Sequence, residues 1–78
     1  MRVRVKYYAG LRERVGKSIE VLDLNAEPMV KDLRSEVAMR YSLDEDILLV
    51  ALNGSFANPD TVIDEGDEIA VFPPVSGG

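Results

Sequence analysis

Among 78 residues, one stretch repeats apolar side chains at helical spacing over several turns: Val30, Leu33, Val37 and Tyr41. Lys31, Asp32, Arg34, Glu36 and Arg40 fall largely on its other faces. The segments on either side alternate or break. A lone amphipathic helix among short strands must cover one face of a sheet, because neither element can bury its apolar side alone. Asn25-Ala26-Glu27-Pro28 supplies start signals, with Asn25 as a cap, an acid in the first turn and Pro near the first helical position.

The strands are read from period-two alternation. Val3, Val5 and Tyr7 alternate with Arg2, Arg4, Lys6 and Tyr8, which predicts a first strand with one buried face. Leu11 and Val15 lie four apart before Gly16, predicting a short helical turn closed by the glycine. Ile19 and Val21, with Leu22 or Leu24, give a second strand, antiparallel to the first because the connection is short. The apolar run from Ile47 to Leu52 predicts a strand, and Asn53-Gly54 a hairpin turn into a brief return strand at Ser55 to Ala57. Turns at Asn58 to Thr61 and at Asp64 to Asp67 precede a last strand from Glu68 to Phe72. The expected fold is α+β: a mixed sheet of four to five strands with one main helix on one face, and the last strand parallel to the first in the middle. If Ile69 and Val71 face the helix, Phe72 lies on the other face beside Lys6 and Tyr8. It is then either an exposed anchor for a partner or covered by a loop.

Composition narrows the function. A domain of this size buries a modest core and leaves little room for a pocket with catalytic walls, so no active site of its own is expected. The chain has no Cys and no His, which removes thiol nucleophiles, disulfides, soft-metal sites and the commonest general base. The Asp44-Glu45-Asp46 and Asp64 to Glu68 clusters lack the ligand spacing of a calcium loop and read as solvated turns, so no metal is expected. No apolar run reaches the roughly 18 residues of a membrane span, and a cytoplasmic protein is expected. The formal net charge is −5, which argues against a nucleic-acid partner. Residues 43–78 hold eight acids and no Lys or Arg, whereas Arg2, Arg4 and Lys6 form one face of a strand, where pairing with acids on a neighbouring strand is expected. An acidic half suits a basic protein partner.

Residues 1–72 form the domain, and 73–78 are expected to be an extended tail. Pro73 and Pro74 resist helix and withhold N–H groups from a sheet. Gly77 and Gly78 carry no Cβ and fit a channel too narrow for side chains, although small residues at a terminus are also what a frayed end looks like. Four residues past Pro74 reach at most ~13 Å, enough to thread a buried active site. A free carboxylate at Gly78 would be an anion at neutral pH and a poor electrophile, so it would need activation, for example by ATP to an acyl-adenylate. Without cysteine, transferable sulfur has no side chain to ride on, and the terminal acyl group is the covalent position left.

Tyr7-Tyr8-Ala9 with Leu11-Arg12-Glu13, then Leu52-Asn53-Gly54, then Asp64-Glu65-Gly66-Asp67-Glu68-Ile69-Ala70-Val71-Phe72-Pro73-Pro74-Val75-Ser76-Gly77-Gly78 carry a specific resemblance. Over its whole length the chain resembles the small, sulfur-carrying subunit of molybdopterin synthase, a family of ubiquitin-like β-grasp fold. Tyr in the opening motif, where that family often has Phe, is a conservative departure. The resemblance implies that an E1-like enzyme adenylates Gly78 with ATP and that a sulfur donor converts it to a thiocarboxylate. It also implies that the tail then enters a large synthase subunit and delivers sulfur to cyclic pyranopterin monophosphate, within a heterotetramer. On that reading Gly78 is the acyl site, Gly77 the slim spacer, and Pro73, Pro74, Val75 and Ser76 the lead that threads the partner, with Phe72 as a partner contact. No cofactor is held permanently. The alternatives are a thiamine-type sulfur carrier and a ubiquitin-like modifier joined through Gly78 to lysines.

Overall fold

The computed structural model describes residues 1–73. In chain order it contains β1 (Arg2–Tyr7), α1 (Ala9–Val15), β2 (Ile19–Asp23), α2 (Val30–Tyr41), a 3-10 turn at Glu45–Ile47, β3 (Leu49–Leu52), β4 (Ser55–Phe56) and β5 (Ile69–Phe72). The strands make one sheet in the order β2-β1-β5-β3-β4. β1 pairs antiparallel with β2 and parallel with β5, so the first and last strands lie side by side at its centre, as the sequence predicts. This is the ubiquitin-like β-grasp architecture, a mixed sheet wrapped on one main helix.

Val3, Val5, Tyr7, Ile69, Val71 and Val50 point from the sheet toward α2, which buries Val30, Leu33, Val37 and Ala38 in return. Full burial of each large aliphatic side chain contributes about 1.5–3 kcal/mol, and this layer dominates the stability of so small a domain. α1 ends as expected at Gly16, whose φ of +87° places it in the left-handed region while its N–H donates to the Arg12 carbonyl at 2.9 Å.

The start of α2 differs from the sequence expectation. The helix begins at Val30, after an extended Met29, and neither Asn25 nor Pro28 belongs to its first turn. Met29 and Pro28 are held by the segment that follows β4: Met29 bridges Val62, and Ile63 N–H donates to the Pro28 carbonyl at 2.8 Å. The first helical N–H groups, of Val30 and Lys31, then donate to the carbonyls of Thr61 and Pro59, both at 2.9 Å. Asp32 accepts from the Met29 N–H at 2.8 Å. Tertiary carbonyls therefore satisfy donors that a local cap would otherwise serve.

Two strands are also corrected. In β2 the inward residues are Glu20 and Leu22, whereas Ile19 and Val21, the apolar positions that suggested the strand, face solvent. Antiparallel register fixes this, because Val5 and Val3 on the inward face of β1 lie opposite Glu20 and Leu22. The run from Ile47 splits: Ile47 ends the 3-10 turn and the strand is Leu49–Leu52. Asp44 accepts from the Asp46 N–H at 3.0 Å and turns the chain before the strand begins.

The predicted turns form where their residues require them. Asn53 and Gly54 have φ of +51° and +87°, the two positive values of a type I′ hairpin turn between β3 and β4. Asn53 also accepts from the Glu68 N–H at 2.9 Å and donates to Asp67 at 3.0 Å, which ties the hairpin to the acidic turn that launches β5. Asp67 further accepts from the Asp64 N–H at 2.8 Å. Among the described residues no group of three His, Cys, Asp or Glu side chains is placed to hold a metal ion, and no helix is long and apolar enough to cross a membrane.

Candidate functional site

The helix covers one face of the sheet and leaves the other open. Alternation and register put Lys6, Ala70 and Ala51 in one row across this open face, with Phe56 opposite Ala51 at its far side. Two residues further along, on the same face, Tyr8 follows β1, Phe72 ends β5 and Leu49 lies opposite Phe72.

Three aromatic rings from three parts of the chain converge here. Tyr8 stacks on Phe72 with ring centroids 4.9 Å apart and planes 11° apart, and Phe56 meets Phe72 edge-on at 5.8 Å. Such pairs add about 0.5–1.5 kcal/mol beyond their burial, which preorganises the cluster. Phe56 remains 70 % exposed and Tyr8 40 %, while Phe72 between them is half-buried. Of the two sequence readings of Phe72, the structure therefore gives neither a bare anchor nor a loop-covered ring: it is partly covered by neighbouring aromatics and sits at the open surface. A shallow depression of ≈ 210 Å³ lies among Lys6, Tyr8, Gly54, Phe56, Glu68 and Phe72. That is below the usual size of a small-molecule site and suits a side chain from another protein.

Pro73, the first residue of the expected tail, follows Phe72 directly and is half-buried. The aromatic cluster thus stands where the expected tail begins. Pro74, Val75, Ser76, Gly77 and Gly78, the remaining residues of the expected tail, lie outside the described residues.

Of the basic row on β1, only the outermost member has the expected acidic neighbour. Arg2 meets Asp23 at 3.7 Å with both side chains largely exposed, a pair worth little. Arg4 and Lys6 lie opposite Val21 and Ile19, and among the described residues neither has an ion-pair partner. The open face is therefore basic along β1 and aromatic around the end of β5.

Beneath the sheet, sequence reasoning missed a polar cluster. Tyr7 points inward where Tyr8 points outward, and its hydroxyl donates to Glu20 Oε1 at 2.8 Å. Tyr41 donates to the same oxygen at 2.6 Å, while Lys17 and Arg40 stand 3.1 and 3.5 Å from Oε2. Burial pushes the Glu20 carboxyl up, but the hydroxyls of Tyr41 and Tyr7 and the Lys17 ammonium together hold it below the ordinary carboxylate value. Burial and then the bond to Glu20 push the Tyr7 hydroxyl well up. A carboxylate held ionised and already saturated with donors is a poor general base, so the cluster reads as a structural clamp.

Phe56 was also missed as a site residue. The signal was available: a two-residue type I′ turn at Asn53-Gly54 fixes the hairpin register, which sets Phe56 opposite Ala51 on the open face.

Comparison with known proteins finds relatives along the whole chain. A family model described as the ThiS family matches residues 5–78. The molybdopterin synthase sulfur carrier subunit of Escherichia coli is 34 % identical, with 97 % of this chain and 99 % of that protein covered. Among solved structures, small archaeal modifier protein 1 of Haloferax volcanii superposes with a TM-score of 0.78 at 26 % identity, covering 95 % of this chain and 98 % of that one. A chain from the complex of subunits 1 and 2 of molybdopterin-converting factor from Helicobacter pylori superposes with a TM-score of 0.67 at 27 % identity, with both chains covered completely. Matched from its first strand to its last residue, and aligned with a molybdopterin synthase sulfur carrier subunit along nearly the full length of both, the chain belongs to the ThiS family.

Proposed function

We propose that this protein is the sulfur carrier of a molybdopterin synthase and that its working group is the carboxyl of Gly78. The observation that carries the proposal is the pairing of an aromatic cluster at the root of the tail with family similarity that runs through Gly78 itself. The aromatic cluster of the folded domain serves as a docking surface, and the chemistry belongs to the tail and to partner enzymes.

The cycle follows from carboxyl chemistry. An E1-like enzyme binds the tail, and a Gly78 carboxylate oxygen attacks the α-phosphorus of ATP, expelling pyrophosphate and forming an acyl-adenylate. A hydrosulfide-level sulfur nucleophile from a donor then attacks the acyl carbon and expels AMP, leaving a thiocarboxylate. Its sulfur is ionised and nucleophilic by the logic that makes thiolate the reactive form of cysteine. Pro73, Pro74, Val75, Ser76 and Gly77 lead it into the large synthase subunit, where it delivers sulfur to cyclic pyranopterin monophosphate. The dithiolene needs two sulfurs and therefore two charged carriers, which fits a heterotetramer. The complex from Helicobacter pylori supports a large-subunit partner. Phe72, flanked by Tyr8 and Phe56, is the central contact for that partner, since aromatic anchors ringed by lesser contacts dominate binding energy.

The likeness to small archaeal modifier protein 1 favours a second use of the same carboxyl, in which a lysine amine takes the place of sulfur and an amide results. A thiamine-type carrier would share the thiocarboxylate and differ in acceptor.

Intact-mass measurement on protein isolated from cells tests the proposal. Exchange of one oxygen for sulfur at the C-terminus is expected, whereas Gly-Gly remnants branched on lysines of other proteins mark the modifier. One residue appended after Gly78 is expected to abolish molybdopterin formation with the folded domain unchanged. Activity of the extended, untrimmed protein would overturn the covalent scheme.

A further inference from the structure

The two edges of the sheet are not alike. β4 is a two-residue strand and offers almost nothing to pair with. β2 is five residues long, contains no proline, and keeps regular register with β1 from Ile19 to Asp23. Long regular edges recruit other strands, and proteins usually blunt them with proline, bulges or inward charges; the one inward charge of β2, Glu20, is bonded within the chain by Tyr7, Tyr41, Lys17 and Arg40.

Register identifies which backbone groups are free. Tyr7 N–H donates to the Ser18 carbonyl at 2.9 Å and Leu24 N–H to the Met1 carbonyl at 2.8 Å. In an antiparallel ladder bonded pairs alternate with non-bonded ones, so Glu20 and Leu22 direct their N–H and C=O groups to β1. Ile19, Val21 and Asp23 direct theirs outward, and no hydrogen bond from another loop or turn among the described residues reaches them. The same three residues carry side chains on the open face, where Ile19 is 42 % and Val21 52 % exposed.

We propose that the outer edge of β2 pairs with the same edge of a second copy of this chain, making a two-fold dimer with one continuous sheet. The edge is self-complementary in the way a two-fold interface requires. Antiparallel pairing about Val21 sets Val21 against Val21 of the second copy and Ile19 against Asp23, so every outward N–H and C=O meets a partner. Ile19 and Val21 of both copies become diagonal neighbours and form one apolar strip.

The charges beside this edge are matched within each copy: Lys17 and Arg40 stand against Glu20, Arg40 also pairs with Glu36 at 3.2 Å, and Arg2 with Asp23 at 3.7 Å, so these pairs set no like charges against each other across the two-fold. β5 lies two strands in from this edge, at ~4.8 Å per strand, so Tyr8, Phe72 and Phe56 stay open for a different protein. The dimer is thus a state of the free carrier that does not depend on the chemistry of Gly78.

Three measurements on the full chain test it. Sedimentation should show a mass that rises from 8.6 kDa toward twice that value with concentration, and Val21→Lys, which sets two ammonium groups face to face, should remain monomeric and melt near the temperature the parent shows when dilute. Amide hydrogen exchange at Ile19, Val21 and Asp23 should slow as concentration rises. Because the chain has no cysteine, Val21→Cys reports the pairing alone: its Cα atoms would lie ~5.5 Å apart, within disulfide reach. It should form a disulfide dimer about tenfold or more faster than Phe56→Cys, since pairing raises the local thiol concentration. The proposal is overturned by a monomer at every concentration with equal cross-linking of the two cysteine variants. It is overturned equally if the β2 amides gain protection only when another protein is added, which would make the edge a site for a partner's strand.

Discussion

The Tyr41 hydroxyl donates to Glu20 Oε1 across 2.6 Å and so fastens the last turn of α2 to the edge strand β2. Tyr7 reaches the same oxygen from β1 at 2.8 Å, so one carboxylate joins three elements. Its side chain is 8 % exposed, which shelters the bonds from water. Replacing Glu20 by Ala leaves the buried Tyr7 hydroxyl without an acceptor, and a loss of about 1–3 kcal/mol is expected. Glu20→Gln, whose amide oxygen still accepts one hydroxyl, should lose less. Urea unfolding midpoints of the two variants check the order.

The same cluster sets a pH dependence. The folded-state pKa of Glu20 lies below its ordinary value, so its contribution is present above the unfolded carboxylate pKa of about 4.3 and is lost as pH falls through the folded value. The hydroxyls of Tyr7 and Tyr41 are shifted upward, by burial first and by Glu20 second. Their contribution is present below the unfolded tyrosine pKa of about 10 and fades as pH rises above it, because the unfolded chain ionises first. Stability measured by urea across pH should fall on both sides. Glu20→Gln should flatten the acid limb, and Tyr7→Phe the alkaline one.

Leu33 sits at the centre of α2 and is fully buried against the sheet. Leu33→Asp removes an apolar side chain from the core and places a carboxyl there without a partner. The expected cost is on the order of 4–5 kcal/mol, comparable to the whole stability of a small domain. Loss of a cooperative thermal transition by circular dichroism is the expected result, and a variant melting near the parent temperature would show that α2 does not carry the core.

Phe72 is held by Tyr8 on one side and Phe56 on the other. Phe72→Ala should weaken binding to a large synthase subunit by about 2 kcal/mol, roughly thirtyfold, if it is the central anchor. Phe56→Ala, at the exposed rim, should weaken it less. Calorimetric titration of each variant gives the ranking, and equal effects would remove Phe72 from the central position.

Local pattern carried much of the fold. The alternation of Val3, Val5 and Tyr7, the helical stripe from Val30 to Tyr41, and the turn residues Gly16, Asn53 and Gly54 each encode their own conformation, because period and backbone sterics act over a few neighbours. The long similarity ending at Gly78 was likewise legible residue by residue. What the sequence could not reveal depends on which distant segments meet. Ile19 and Val21 look like core positions and are not, because register with β1 turns Glu20 and Leu22 inward. Glu20 becomes a buried clamp only because Tyr7 and Tyr41 arrive from other elements to bond it. Asn25 reads as a helix cap until the carbonyls of Pro59 and Thr61 take over the donors of the first turn. The sequence alone determined the elements and their turns, since those are short-range choices of the backbone. Tertiary structure decided the inward face of β2, the buried polar clamp and the meeting of Phe56 with Tyr8 and Phe72, since burial and hydrogen bonding there are properties of pairs far apart in the chain.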